Sequence, residues 1–166
     1  MVDGRMIGRR AGDAGRRMVL LDDKAKRIIE LLQADGRLSY SAIAKEVELS
    51  EAAVRQRVTK LIESGMMQVV AVTDPLQMGF ARQAMVGVKV VGDVRDVAKS
   101  LSAMDEIDYV VITTGRYDIL VELVATSDDD LLDLVSGRIG QLDGVAHSET
   151  FVYLRLEKQT YTWGVR

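Results

Sequence analysis

From Asp22 onward the apolar positions recur with helical spacing. Ile28, Ile29, Leu31 and Leu32 form one stripe, and Asp22 and Asp23 sit at the end where a helix dipole favours negative charge. Asp35-Gly36 stops this helix. Ser39 is placed to cap a short second helix carrying Ile43, Ala44 and Val47. After the tight connection Glu48-Leu49-Ser50, Ser50 is placed to cap a third helix over 51–64. Val54, Val58, Leu61 and Ile62 share one face of it, and Gly65 ends it. Three short helices joined in this way describe a helix-turn-helix. Residues 66–73 are β-branched and apolar (Met67, Val69, Val70, Val72), which predicts a strand leading away from the helices. Asp74-Pro75 breaks it and Gly79 marks a boundary.

The second half follows a different order. Alternation predicts a strand over 83–91, with Ala84, Val86, Val88 and Val90 on one face. Helical spacing of Val94, Val97, Ala98, Leu101 and Met104 predicts a helix over 93–104. Strands over 107–114 and 118–125 flank Gly115-Arg116-Tyr117 as a hairpin. Ser127 to Asp130 fits a capping box for a helix over 128–142, and Gly144 precedes a strand over 146–157. The order βαββαβ is the ferredoxin-like unit, with both helices on one face of the sheet. The other face is too apolar for water. On the last strand Thr150, Val152, Leu154 and Leu156 alternate with Phe151 and Tyr153, so a second row needs cover. Face-to-face packing on a second subunit is the expectation.

The length of 166 residues suits one large domain or two small ones. The absence of cysteine excludes disulfides, thiolate nucleophiles, cysteine zinc sites and iron–sulfur clusters. His147 is the single histidine, which leaves little room for imidazole acid–base chemistry. No apolar run approaches the roughly 20 residues that span a bilayer. The N-terminus is arginine-rich without an apolar core, so it does not read as a secretory signal, and a cytoplasmic protein is expected. Charge is unevenly spread. Residues 1–20 hold five arginines against two aspartates, residues 21–65 eight basic groups against eight acidic, and residues 66–166 nine basic against fifteen acidic. A net charge of −3 argues against coating nucleic acid by bulk charge. It leaves room for a neutral module that sets a few cations on phosphates, with the acidic half facing away from DNA. Residues 1–20 read as a flexible basic arm; Met18, just ahead of the first periodic segment, is the rival start.

The order of elements and several motifs resemble the Lrp/AsnC family of feast/famine transcription regulators. The residues that carry the resemblance are Leu21-Asp22, Ser41-Ala42-Ile43-Ala44, Leu49-Ser50, Val54, Arg57-Val58, Leu61 and Gly65-Met66-Met67. In the second half they are Thr114-Gly115-Arg116-Tyr117-Asp118 and Leu142-Asp143-Gly144-Val145. The resemblance spans about residues 21–157; the long arginine-rich arm and the Tyr161-Thr162-Trp163 tail depart from the pattern. It implies an α+β chain with an N-terminal (winged) helix-turn-helix domain over 21–66 and a strand and linker over 67–82. A ferredoxin-like βαββαβ (RAM/ACT-like) ligand-sensing and oligomerisation domain follows over 83–160. A homodimer or higher assembly, such as a tetramer or octamer, would bind a pseudo-palindromic operator in double-stranded DNA within the nucleoid.

With Val54, Val58, Leu61 and Ile62 turned inward, the third helix must expose Glu51, Ala52, Arg55, Gln56, Thr59 and Lys60. A recognition helix presents its N-terminal side chains to base edges, so Ser50 at its start joins the DNA-facing set. Arg55 suits guanine and Gln56 adenine; Glu51 can accept from cytosine, and Ala52 can touch a thymine methyl. Thr59 and Lys60 suit phosphates. Arg57 occupies the family's recurring arginine position and either contacts phosphate or braces the motif.

The resemblance also implies an amino acid or related small molecule bound by the C-terminal domain, with Gly115, Arg116, Tyr117 and Asp118 as the effector loop. Gly115 lets backbone approach a ligand, Asp118 suits an α-ammonium, Arg116 a carboxylate, and Tyr117 offers a flat wall with a hydroxyl tip. The rival is a plain hairpin turn in which Asp118 caps backbone. His147, Ser148 and Thr150 are a weaker addition to the same interface. Asp128-Asp129-Asp130 point different ways round a helix and need only its dipole as explanation, so no metal or other cofactor is expected. With no nucleophile–base pair and no phosphate loop, catalysis is not expected. The alternative within DNA binding is an effector-independent architectural, nucleoid-associated protein.

Overall fold

The computed structural model describes residues 21–161, 164 and 165. The arm over 1–20 and the Thr162-Trp163 part of the tail lie outside the described residues. The chain forms two compact units, one ending at Val72 and the other spanning Thr73–Glu157. Among the described residues no helix is long and apolar enough to cross a membrane.

The first unit holds α1 (Asp23–Ala34), α2 (Tyr40–Glu46) and α3 (Glu51–Glu63). Each starts on an extended residue whose side-chain oxygen accepts a backbone N–H that the helix cannot satisfy itself. Asp22 accepts from Ala25, Ser39 from Ala42 and Ser50 from Ala53, at 2.7, 3.2 and 3.2 Å. The apolar stripes meet in a core of Ile28, Leu32, Ile43, Ala44, Val47, Val54 and Val58. A side chain of this size is worth about 1.5–3 kcal/mol when fully buried. Ile62 departs from expectation. It is 44% exposed, because it falls at the edge of the Val54–Val58–Leu61 stripe rather than within it.

The turn between α2 and α3 is held by a cation. Glu48 sits at φ +52°, a left-handed conformation usually left to glycine. Lys24 donates to the carbonyls of Val47 and Glu48 at 2.8 and 3.1 Å, satisfying acceptors that the end of α2 leaves open.

The strand expected over 66–73 does not form. Its valines carry the propensity, but among the described residues no strand pairs with them, and Val69, Val70 and Val72 stay more than half exposed. No wing therefore follows α3 among the described residues, and only Met67 packs on the helical core.

The second unit holds β1 (Arg82–Val90), α4 (Val94–Leu101), β2 (Ile107–Ile112), β3 (Ile119–Ala125), α5 (Asp128–Leu132) and β4 (Val145–Val152). The strands lie in the order β2-β3-β1-β4, every neighbouring pair antiparallel. This is the expected βαββαβ unit. Ala84, Val86 and Val88 of β1 and Ile119, Val121 and Leu123 of β3 face the helices. Val97 and Leu101 of α4, with Leu134 and Ile139, close that core.

The last helix is not regular. It runs as α5 to Leu132 and continues as a π-helix over Asp133–Ile139. Leu134 and Ile139 are both buried. Five residues apart, they would point about 140° away from each other in an α-helix; the wider π turn brings both onto the sheet. The last strand is also shorter than expected. It ends at Val152, and Leu154 is 98% exposed.

Candidate functional sites

The DNA-facing candidates cluster as expected, with one exception. Around α3, Glu51, Ala52, Arg55, Gln56, Thr59 and Lys60 are all exposed and fill about half the circumference, opposite Val54, Val58 and Leu61. Ser50 is exposed at the start of the helix and occupied as its cap. Arg55 donates to Glu51 at 3.1 Å and lies 5.0 Å over the ring of Tyr40 on α2.

Arg57 is the exception. It sits at the flank of α3 and donates twice to Asp22, at 2.9 and 2.8 Å, tying the third helix to the cap of the first. Of its two expected roles the geometry displays the brace. The N–H of Ala25 and then the Arg57 guanidinium hold the Asp22 carboxyl below its ordinary pKa.

On the second unit the residues between β2 and β3 fold back across β1. The Thr113 N–H donates to the Asp118 carbonyl at 2.8 Å, and the Thr113 hydroxyl to the Tyr117 carbonyl at 2.6 Å. The Asp118 carboxylate accepts from the backbone N–H of Val90 and from Lys89 Nζ, at 2.8 and 2.9 Å. These two donors, the backbone one first, lower its pKa. Both oxygens intended for an α-ammonium are therefore engaged within the chain.

Tyr117 lies flat on β1. Its ring covers Gly87 so closely that a Cβ there would sit 2.5 Å from ring carbon. Phe151 meets it edge-on, with centroids 6.3 Å apart, and the Tyr117 hydroxyl is buried without a hydrogen-bond partner among the described residues. Arg116 stands 5.6 Å over the Tyr117 ring and 3.7 Å from Glu149, and is 82% exposed. Gly115 is exposed, with open space where a side chain would be.

His147, Ser148 and Thr150 do not share a surface. In the register of β1 and β4, His147 pairs with Lys89 on the open face, while Ser148 and Thr150 pair with Val88 and Val86 on the helix side. No group of three or more histidines or carboxylates is gathered for a metal among the described residues. Asp128 pairs with Arg82 at 2.6 Å and Asp130 accepts from Thr126, so two of the three consecutive aspartates have structural work.

Gly87 and Tyr40, like Thr113, Lys89 and Glu149, were not singled out from sequence. Gly87 interrupts an otherwise apolar strand, which is a signal for close approach of another group. Tyr40 gave no signal, because its contact with Arg55 joins two helices.

Comparison with known proteins adds the following. Residues 21–62 match the family model described as the AsnC-type helix-turn-helix domain, and residues 83–163 that of the Lrp/AsnC ligand binding domain. The HTH-type transcriptional regulator FL11 of Pyrococcus horikoshii is 36% identical over 147 residues, covering 86% of this chain and 95% of its own. Among solved structures, the leucine response regulatory protein LrpA of Mycobacterium tuberculosis superposes with a TM-score of 0.77 at 25% identity, covering 84% and 96%. A transcriptional regulator of Neisseria meningitidis in complex with L-Met has a TM-score of 0.75 at 24% identity, covering 84% and 94%.

Proposed function

The chain belongs to the Lrp/AsnC family of transcriptional regulators, and from that premise we propose that it binds specific DNA as a homo-oligomer tuned by an amino acid or a similar small molecule. The observation that carries the reading is the exposed arc of α3. Its buried side is locked by Val54, Val58 and Leu61, its start is capped, and its free side presents Glu51, Ala52, Arg55, Gln56 and Thr59 together. That arrangement suits base edges, with Lys60 further along for phosphate. Arg57 then acts by holding α3 on α1.

A second copy accounts for two features of the single chain. Met85, Tyr109, Val111, Leu120 and Phe151 line the face of the sheet opposite the helices, and Tyr109 and Phe151 are about half exposed. Among the described residues, the strand-forming segment 66–73 has no ladder partner. A two-fold dimer burying the sheet faces, and pairing that segment, would satisfy both and would set two α3 helices on an operator of matching symmetry.

Effector response is assigned to the turn from Gly115 to Asp118. With Asp118 occupied, its part is to fix the loop, and Arg116 and Gly115 are the groups left facing outward. An L-Met complex of a protein with this fold supports the amino-acid class.

The test has two arms. Selection from a randomised duplex pool should enrich one motif, and enrichment of none would favour architectural binding. Thermal melts against the twenty amino acids should show one that raises Tm; a ligand at about 100 times its Kd adds about 2.7 kcal/mol. A flat response to all twenty would refute the effector assignment for that class.

A further inference from the structure

We propose that Tyr40 is a specificity-determining positioning residue, which holds Arg55 in place for reading a guanine. The proposal rests on the assignment of α3 as the base-reading helix. Tyr40 opens α2 just after its cap, Ser39. Its ring is partly buried against the helical core, so it is fixed from below. Its upper face lies under the Arg55 guanidinium, 5.0 Å from ring centre to the central carbon. Arginine favours such a position, because the ring quadrupole attracts the cation and the flat group stacks on the flat ring.

Glu51 supplies the second restraint. Its carboxylate accepts from Arg55 Nη2 at 3.1 Å, one turn earlier on α3. This is the guanidinium's single hydrogen bond among the described residues, so the remaining N–H groups are uncommitted, and the side chain stays 62% exposed. A long side chain that would otherwise sample many rotamers is thus held on one face by a ring and at one corner by a carboxylate. Bidentate contact with guanine O6 and N7 needs a plane set in advance, and ordering it on binding costs affinity. Tyr40 removes part of that cost while touching no base.

The experiment is selection from a randomised duplex pool by the full chain, followed by sequencing, for the wild type and for Arg55→Ala, Tyr40→Phe and Tyr40→Leu. Arg55→Ala identifies the guanine position that depends on this arginine. Tyr40→Phe keeps the ring face and should keep that preference. Tyr40→Leu keeps apolar packing and should lower it at that one position by about two- to fivefold, the range of an exposed cation–π contact. If Tyr40→Leu does not fold, as judged by its melt, Tyr40→Met takes its place with the same expectation. An unchanged guanine preference in the aliphatic variant overturns the proposal. So does an equal loss at every position, which would mean a packing role, or an equal loss in Tyr40→Phe. If no position depends on Arg55, the base-reading assignment fails first and the proposal falls with it; the Arg55→Ala selection tells this apart from a failure of Tyr40 alone.

Discussion

Replacing Gly87 with alanine should unlatch the loop between β2 and β3. The added Cβ would lie 2.5, 2.6 and 2.8 Å from three ring carbons of Tyr117, well inside contact distance. The strand cannot retreat, because β1 is hydrogen-bonded on both sides, to β3 and to β4. The ring must therefore move, losing its edge contact with Phe151 and straining a loop held by Thr113 and Asp118. Overpacking of this kind costs about 1–3 kcal/mol. Alanine returns about 0.4–1 kcal/mol by restricting the unfolded chain. The net expectation is a loss of about 1–2 kcal/mol. Urea denaturation followed by circular dichroism, at one fixed protein concentration, measures it.

A double-mutant cycle isolates the cause. In a Tyr117→Ala background the clash has no partner, so Gly87→Ala should be neutral or stabilising. The coupling should then reach about 1–3 kcal/mol, against about 0.5 kcal/mol or less for independent sites. If Gly87→Ala changes stability equally in both backgrounds, the close approach is not what keeps glycine there. If the proposed effector assignment holds, the same variant should lose any amino-acid-induced rise in Tm, since the loop assigned to the ligand has been displaced.

Three further outcomes follow from the geometry. Lys60→Ala should weaken binding to all DNA sequences alike and lower the slope of log affinity against log salt by about one, whereas Arg57→Ala should leave the slope unchanged, since Asp22 already neutralises that cation; filter binding at several salt concentrations reads both. Glu48→Gly should stabilise the helical unit by about 0.5–1 kcal/mol in a urea melt, because glycine accepts the left-handed turn without a Cβ penalty. Burial first, then the Glu122 carboxylate, raises Tyr153 from 10.0 to about 12, so the folded state keeps a proton that the unfolded chain gives up. That stabilisation is whole below pH 10 and is lost as pH rises towards 12, and a Tyr153→Phe variant should part from the wild type in urea midpoint only above about pH 10.

The fold was largely legible because its elements are local. Period, caps and stops are written within a few residues of each helix, and Ser39 and Ser50 cap where their spacing says. The two misread strands share one origin, a pairing that local pattern cannot show. Residues 66–73 have strand composition but no ladder. Leu154 and Leu156 continue the alternation of β4, but the last β1–β4 pair is Ala84 with Val152. The π-helix after Leu132 escaped because a regular helix and a widened one share most of their apolar spacing. At the sites, residue types were legible and commitments were not. Whether Arg57 faces DNA or Asp22 depends on a contact 35 positions away, and whether Asp118 is free depends on Lys89 and Val90, 29 and 28 away.

Those commitments give both sites a common logic. Arg55 is paired with Glu51, Arg57 with Asp22, Asp118 with Lys89 and Arg116 with Glu149. Arg57 and Asp118 are thereby committed to holding structure, whereas Arg55 and Arg116 are each restrained by one partner and keep other N–H groups for a ligand. Restraint in advance lowers the ordering cost of binding. It raises discrimination, because only a ligand whose geometry matches the restrained group takes its free donors. A guanine edge that takes Arg55 bidentately meets that condition, and a mismatched base does not. For a chain of net charge −3 this matters more than for a basic one. It cannot rely on bulk attraction to hold it on DNA, so its occupancy of a site must come from a few well-placed groups, to which the proposed dimer would add those of a second α3 helix. On that proposal, a ligand that biases the second unit between assemblies would act on DNA binding directly, since a lone copy of the helical unit would retain only half of the contacts that make a site specific.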